Sequence, residues 1–205
     1  MSDILYINQY VCISPDKVTI NNESSIINEE KSDFRVFTKQ IYRSYALQYP
    51  KFFKMDEHSR LGFLAASLLL GPEPELENEN TAMVMMNAES TLFTDSQYKE
   101  SISGIPSPAL FVYTLPNIVM GEIAIKYKFK GENIFLVEPA FEAQKLYDHT
   151  SLIFDTTPTQ SCIAGWVNVE STKNYLAVLY LVERIANSQK CITFDPTNIE
   201  KTFQS

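Results

Sequence analysis

One stretch leaves this chain little freedom in how it can fold: SPALFVYTLPNIVMGEIAIKYKFKGENIFLVEPAFEAQ, from Ser107 to Gln144. It predicts a Pro-flanked apolar entry, a helix of about four turns from Asn117 to Phe129, and a stop at Gly131. A short strand from Ile134 to Val137 follows, then a second helix from about Pro139 to Phe154. Pro139 suits a first helical position, where its missing N–H would have no intrahelical partner. Helix, tight turn, buried strand and helix with almost no spare residues fix whatever follows the strand at one point in space. In many α/β proteins that point carries the chemistry. Here it holds Glu138, Pro139, Ala140, Phe141 and Glu142, with no Cys or Ser nucleophile among them.

The remaining elements fit around this run. Ile4 to Ile13 is rich in β-branched and aromatic residues and predicts a central strand. Asp16 to Ser32 is polar and predicts a surface loop. A helix is expected in Phe34 to Tyr49, before Pro50. Asp56 offers an N-cap for a helix through Leu70, closed by Gly71-Pro72. Ala82 to Met86 reads as a strand buried on both faces. Thr94 to Ser103 reads as a short helix. Cys162 to Val169 and Tyr175 to Val182 form a hairpin pattern. Residues 1–185 thus make one domain, and 186–205 are a polar tail or, through Cys191 to Phe194, an added edge strand. The expected fold is α/β: a mixed, mostly parallel five-stranded sheet with helices on both faces and one antiparallel strand at an edge.

Charge and composition remove several function classes. A formal net charge of −8 argues against a nucleic-acid binder, which needs a basic footprint to neutralise phosphates. Lys126, Lys128 and Lys130 cluster, but at a helix end, where cations complement the dipole. No apolar run reaches the roughly 18 to 20 residues of a membrane span. The N-terminus reads as a strand and lacks a signal-peptide pattern, so the cytoplasm is the expected location. Cys12, Cys162 and Cys191 are far apart in apolar surroundings, as reduced core thiols are. His58 and His149 are the only histidines, and no metal-ligand spacing or cofactor motif is present.

Several short motifs carry a resemblance. Tyr6 to Pro15 resembles the opening strand, ending in Ser-Pro, of the β-ketoacyl-ACP synthases of the thiolase-like superfamily. Phe53-Lys-Met-Asp-Glu-His-Ser-Arg-Leu61 resembles their Arg-Met-Asp helix start. Ser107-Pro-Ala-Leu-Phe, Leu115-Pro-Asn and Gly121-Glu-Ile-Ala-Ile resemble the helix before the nucleophile strand, and Lys130-Gly-Glu-Asn133 its Arg-Gly-Pro-Asn turn. The match covers most of the chain as an N-terminal half, and short ketosynthase-like N-terminal-domain proteins beside polyene and resorcinol lipid pathways resemble it most.

The resemblance implies a thiolase-like half-fold and, in the complete family, a Claisen condensation through a Cys at the start of the helix after the strand. That position matches Ala140, within one or two residues, and no cysteine lies inside that margin. The chain therefore resembles a catalytically incomplete member: a non-catalytic subunit in fatty acid, polyene or polyketide-type lipid biosynthesis. Expected partners are a second copy or a full-length ketosynthase, together with an acyl carrier protein. Ile134, Phe135, Leu136, Val137 and Glu138 would present the edge that pairs across a dimer axis. Two alternatives stand beside this. One is a residual malonyl decarboxylase or acyl hydrolase using Glu138, Glu142 or His149; the other is an acyl-chain binding module built on Phe111, Tyr113, Leu115 and Met120.

Overall fold

The computed structural model describes residues 4–187 and 190–204. Eight strands form one mixed sheet: β1 (Tyr6–Ile13), β2 (Lys17–Ile20), β3 (Glu23–Ile27), β4 (Thr81–Asn87), β5 (Asn133–Val137), β6 (Ser161–Ser171), β7 (Asn174–Glu183) and β8 (Ile192–Thr193). Their spatial order is β3-β2-β1-β7-β6-β4-β5, with β8 pairing the start of β1. β4 runs parallel to both β5 and β6, while β7 is antiparallel to β6 and to β1.

The helices are α1 (Phe34–Ser44), α2 (Glu57–Leu70), α3 (Leu92–Ile102), α4 (Pro108–Val112), α5 (Ile118–Tyr127), α6 (Ala143–Thr156) and α7 (Pro196–Phe203). α1, α2 and α5 cover one face of the sheet. α6 and α7 cover the other. The α2 sequence LGFLAASLLL has no polar stripe, and a helix apolar all round must be enclosed. Apart from Leu70 its residues are all buried.

Five expectations need correcting. The sheet is mostly antiparallel, not mostly parallel: of its seven strand pairings only β4–β5 and β4–β6 run parallel. The sheet has eight strands, not five, because the polar segment after Pro15 folds into the β2–β3 hairpin. Its period is hidden, since β3 is mostly exposed while Val18 and Thr19 of β2 are buried. The antiparallel member β7 lies inside the sheet, not at its edge, because β1 closes its outer side from Tyr6 opposite Glu183 to Ile13 opposite Ala177. α5 stops at Lys128, which adopts the left-handed conformation at φ 62°. Gly131 instead permits close approach: a Cβ there would stand 2.4 Å from the Thr81 carbonyl oxygen. Finally, α6 starts at Ala143 with Glu142 as N-cap, four residues later than Pro139.

The tail contributes more than an edge pair. Phe194 and Ile199 are buried in the second-face core, and the Tyr180 hydroxyl donates to the Ile199 carbonyl at 3.2 Å.

Candidate functional site

β4 and β5 are parallel neighbours whose following helices depart to opposite faces. The chain after β4 leads to α5 in the first core, and the chain after β5 leads to α6 in the second. Such divergence places a crevice at the carboxyl ends of the two strands. Asn87 and Val137 are the paired last residues of those strands. Beyond them the Glu138 N–H donates to the Asn87 carbonyl at 2.8 Å and extends the ladder by one bond.

The loop after β4 is held rigidly. Asn87 Nδ2 donates to the Ser90 carbonyl at 2.7 Å, and its Oδ1 accepts from the Ser90 N–H at 3.0 Å. Asn168 Oδ1 of β6 accepts from the N–H groups of Ala88 and Glu89, at 3.1 and 3.0 Å. The loop after β5 is held by rings. Phe141 stacks on Phe203 of α7 at 3.7 Å between centroids and meets Trp166 edge-on at 5.9 Å.

Ala140 is exposed in this loop, ahead of the N-cap of α6. Glu138 is bound to Lys145 at 2.5 Å, and Glu142 lies 3.6 Å from the same ammonium. The hydrogen bond from Lys145 to Glu138 raises the lysine pKa above its ordinary value. One lysine thus neutralises both carboxylates, an arrangement suited to steadying the start of α6. His149 sits half-buried in the second turn of α6. The thiols lie elsewhere: Cys162 is buried within β6 and Cys12 within β1, and burial pushes both above the usual thiol range. Among the described residues no group of three or more His, Cys, Asp or Glu could hold a metal ion.

A buried polar cluster lies behind the crevice, in the first turn of α2. Asp56, Glu57, His58, Ser59 and Arg60 are consecutive and all buried. Asp56 caps the helix by accepting from the Ser59 N–H at 2.9 Å and accepts from the Thr94 hydroxyl at 2.6 Å. Glu57 accepts two bonds from Arg35, at 3.0 and 2.9 Å. Arg60 donates to the Met55 carbonyl at 3.1 Å, and its guanidinium faces the Phe52 ring at 5.2 Å. His58 Nε2 donates to the Val167 carbonyl at 3.1 Å, and the ring meets Phe135 of β5 edge-on at 5.8 Å. Burial lowers the His58 pKa, against a weaker upward pull from Asp56. Sequence reading identified the Asp56 cap and missed the rest. The signal was present: α2 has no solvent face, so its polar first turn had to be buried as well.

The structure separates the four acyl-chain candidates. Phe111 and Leu115 are exposed, whereas Tyr113 and Met120 are buried, and the Tyr113 hydroxyl donates to Glu122 at 3.0 Å. Met120 lines a groove of about 440 Å³ together with Pro116, Asn117, Gly121, Asn133, Phe135 and Val137. That groove runs beside β5, the terminal strand of the sheet. Ile134, Phe135 and Leu136 are half-buried there and Val137 is 51 % exposed.

No family model and no curated protein sequence matches this chain. Solved structures do. The ishigamide ketosynthase/chain length factor aligns over 91 % of this chain and 63 % of its own, at 13 % identity and a TM-score of 0.63. A ketosynthase in complex with its chain length factor from Xenorhabdus doucetiae aligns over 90 % of this chain and 80 % of its own, at 15 % identity and a TM-score of 0.57. A type II polyketide synthase acyl-carrier protein in complex with its ketosynthase bound to the hexaketide gives 11 % identity and a TM-score of 0.60, over 89 % of this chain and 63 % of the other. The chain therefore spans less than two thirds of the first and third of these. At such identities the likeness concerns the fold, and the fold is thiolase-like and ketosynthase-like. No helix among the described residues is long and apolar enough to cross a membrane.

Proposed function

We propose that this chain is a non-catalytic ketosynthase-like subunit that pairs through β5 with a ketosynthase serving polyketide, polyene or fatty-acid-type lipid synthesis. The observation that carries this reading is the edge itself. β5 ends the sheet with unpaired backbone groups and a half-exposed apolar face, and an edge of that kind invites strand addition unless a partner covers it. The thiolase-like fold favours a ketosynthase as that partner, and two of the similar structures are complexes that contain one. The absence of a Cys or Ser between Glu138 and Glu142 favours a supporting role over acyl transfer.

Co-expression with a ketosynthase from the same cell, followed by size-exclusion chromatography with light scattering, tests the pairing. A 1:1 complex is expected, and Val137→Asp, at the exposed end of the edge, should dissolve it without altering the far-UV circular dichroism. A strictly monomeric protein that binds no ketosynthase, or a complex indifferent to Val137→Asp, would reject the reading. Incubation of the isolated chain with malonyl-loaded carrier protein should release carbon dioxide no faster than a blank. A rate lost in Glu138→Gln or Glu142→Gln would favour the enzymatic alternative.

A further inference from the structure

Three helices end around one cavity. α1 stops at Ser44, α2 at Leu70 and α5 at Tyr127, and the residues that close or follow them line a space of about 530 Å³. Its walls are aromatic: Tyr45 and Tyr49 come from the loop after α1, Phe63 from α2 and Tyr127 from α5. Tyr49 stacks on Phe63 at 4.8 Å between centroids. The Tyr127 hydroxyl donates to the Gly71 carbonyl at 2.9 Å and so ties the end of α5 to the end of α2. Exposed Glu73 and half-buried Lys126 line the space as well. The opposite end of α2 carries His58, beside Asn87 of the crevice, and 14 helical residues hold the two sites about 20 Å apart.

The cavity is built at a conformational cost. Ala46, in its wall, holds the left-handed backbone at φ 48°, a region unfavourable for a residue with a Cβ. That turn brings Tyr45 and Tyr49 to the same cavity and leaves both half-buried. The surroundings are electrically negative. Each helix carries roughly half a negative charge at its carboxyl end, and the faces of aromatic rings are negative. Glu73 makes no ion pair among the described residues. Burial pushes the Tyr49 and Tyr127 hydroxyls above the usual phenol range, so both rings stay neutral. The opposing charge among the lining residues is Lys126, whose Nζ lies over the Tyr127 ring at 5.8 Å from its centroid. One ammonium thus already rests on a ring of this cavity, at the end of a flexible four-carbon stem.

We propose that the cavity binds an alkylated ammonium group, seated among the rings of Tyr45, Tyr49 and Tyr127 with the Glu73 carboxylate beside its charge. Ring faces attract a cation within about 6 Å of their centroids, and quaternary ammonium groups suit them best. A primary ammonium would need hydrogen-bond acceptors in exchange for its water, and the Gly71 carbonyl already accepts from Tyr127. An anion would meet the helix ends and Glu73 with the unfavourable sign. This binding is independent of pairing through β5.

The test titrates the full chain by ligand-observed NMR with choline, its uncharged isostere 3,3-dimethylbutan-1-ol, ethanolamine and hexanoate. Choline should bind at least about five-fold more tightly than the other three. Tyr49→Leu keeps apolar volume but removes a ring face, and should weaken choline binding by about five-fold. Glu73→Gln should weaken it by about two-fold, and Lys126→Gln should strengthen it by about two-fold, whereas an anionic ligand would lose affinity from the change at Lys126. Sedimentation with phosphatidylcholine vesicles that choline relieves would assign the group to a lipid head, and binding of choline alone would assign it to a free small molecule; both uphold the class. If Tyr49→Leu unfolds, the substitutions at Glu73 and Lys126 decide. No saturable choline binding, equal affinity for choline and 3,3-dimethylbutan-1-ol, tighter binding of ethanolamine or hexanoate, or weaker choline binding in Lys126→Gln would overturn the proposal.

Discussion

The imidazole of His58 donates its Nε2–H to the main-chain carbonyl of Val167 at 3.1 Å, which ties the first turn of the buried helix α2 to the middle of β6. The ring is enclosed by Phe135 of the edge strand and by the amide of Asn87, 3.3 Å from the same nitrogen. A cation there would lose its hydration, and Asp56 and the Val167 carbonyl only partly offset the loss, so burial lowers the pKa and favours the neutral ring.

Stability should therefore depend on pH through His58. Its folded pKa lies below the ordinary 6.5, so below pH 6.5 the unfolded chain binds a proton that the folded chain refuses. The contribution is complete above pH 6.5 and is lost as pH falls through the folded pKa. Urea midpoints measured from pH 7.5 to 5 should fall across this range in the parent. In His58→Gln the fall should be flatter, on a baseline lowered by about 1–3 kcal/mol for the altered buried bond. Parallel pH profiles for the two proteins would show that His58 is not the group responsible.

Gly165 should tolerate no side chain. It lies within β6 at φ +156°, and a Cβ would stand 2.0 Å from the Val178 carbonyl oxygen of β7. The obstacle is backbone in the interior of the sheet, not the end of a flexible side chain. Gly165→Ala should cost on the order of 3 kcal/mol, near the upper range for overpacking. Chemical denaturation measures it, and a loss below about 1 kcal/mol would mean that β6 and β7 can separate locally.

The ring stack of Phe141 on Phe203 makes the loop after β5 depend on the C-terminal helix. Phe203→Ala should remove about 1–2 kcal/mol, combining lost area with lost ring contact. It should also raise amide exchange in 138–142 while leaving β4 protected. Hydrogen exchange followed by mass spectrometry distinguishes this from general loosening, in which the whole second-face core would exchange faster.

Much of this architecture was legible in the residues, and its gaps have physical causes. Asp56 and Gly71 marked both ends of α2 because capping chemistry is local. The hairpin from Cys162 to Val182 was legible because buried β-branched runs flank a polar turn. Strand order is not local: nothing in Tyr175 to Val182 says that β1, some 170 residues earlier, will cover its outer edge. α7 was hidden because only Ile199 and Thr202 of its eight residues are buried. At the site, the lack of a Cys or Ser between Glu138 and Glu142 is read directly from the residues, whereas the edge position of β5 was an implication of the family resemblance that the strand order matches. The neutralisation of Glu138 and Glu142 by Lys145, and the enclosure of His58, required the folded geometry.

The start of α6 bears directly on the missing thiol. In the ketosynthase-like reading the reactive position matches Ala140, where a thiolate would gain from the helix dipole. Helix α6 begins only at Ala143, and the side chain at 140 is exposed, with the Glu138 and Glu142 carboxylates close in sequence. The dipole effect fades beyond the first turn. Ala140→Cys should therefore supply an ordinary thiol. In a Cys191→Ser background, which removes the half-exposed native cysteine and leaves Cys12 and Cys162 buried, iodoacetamide alkylation against pH should give a midpoint at or above about 8.5. Thiols activated at helix N-termini fall to about 3.5–7.5. A midpoint in that lower range would mean that the loop geometry activates a thiol at position 140 despite the late start of α6.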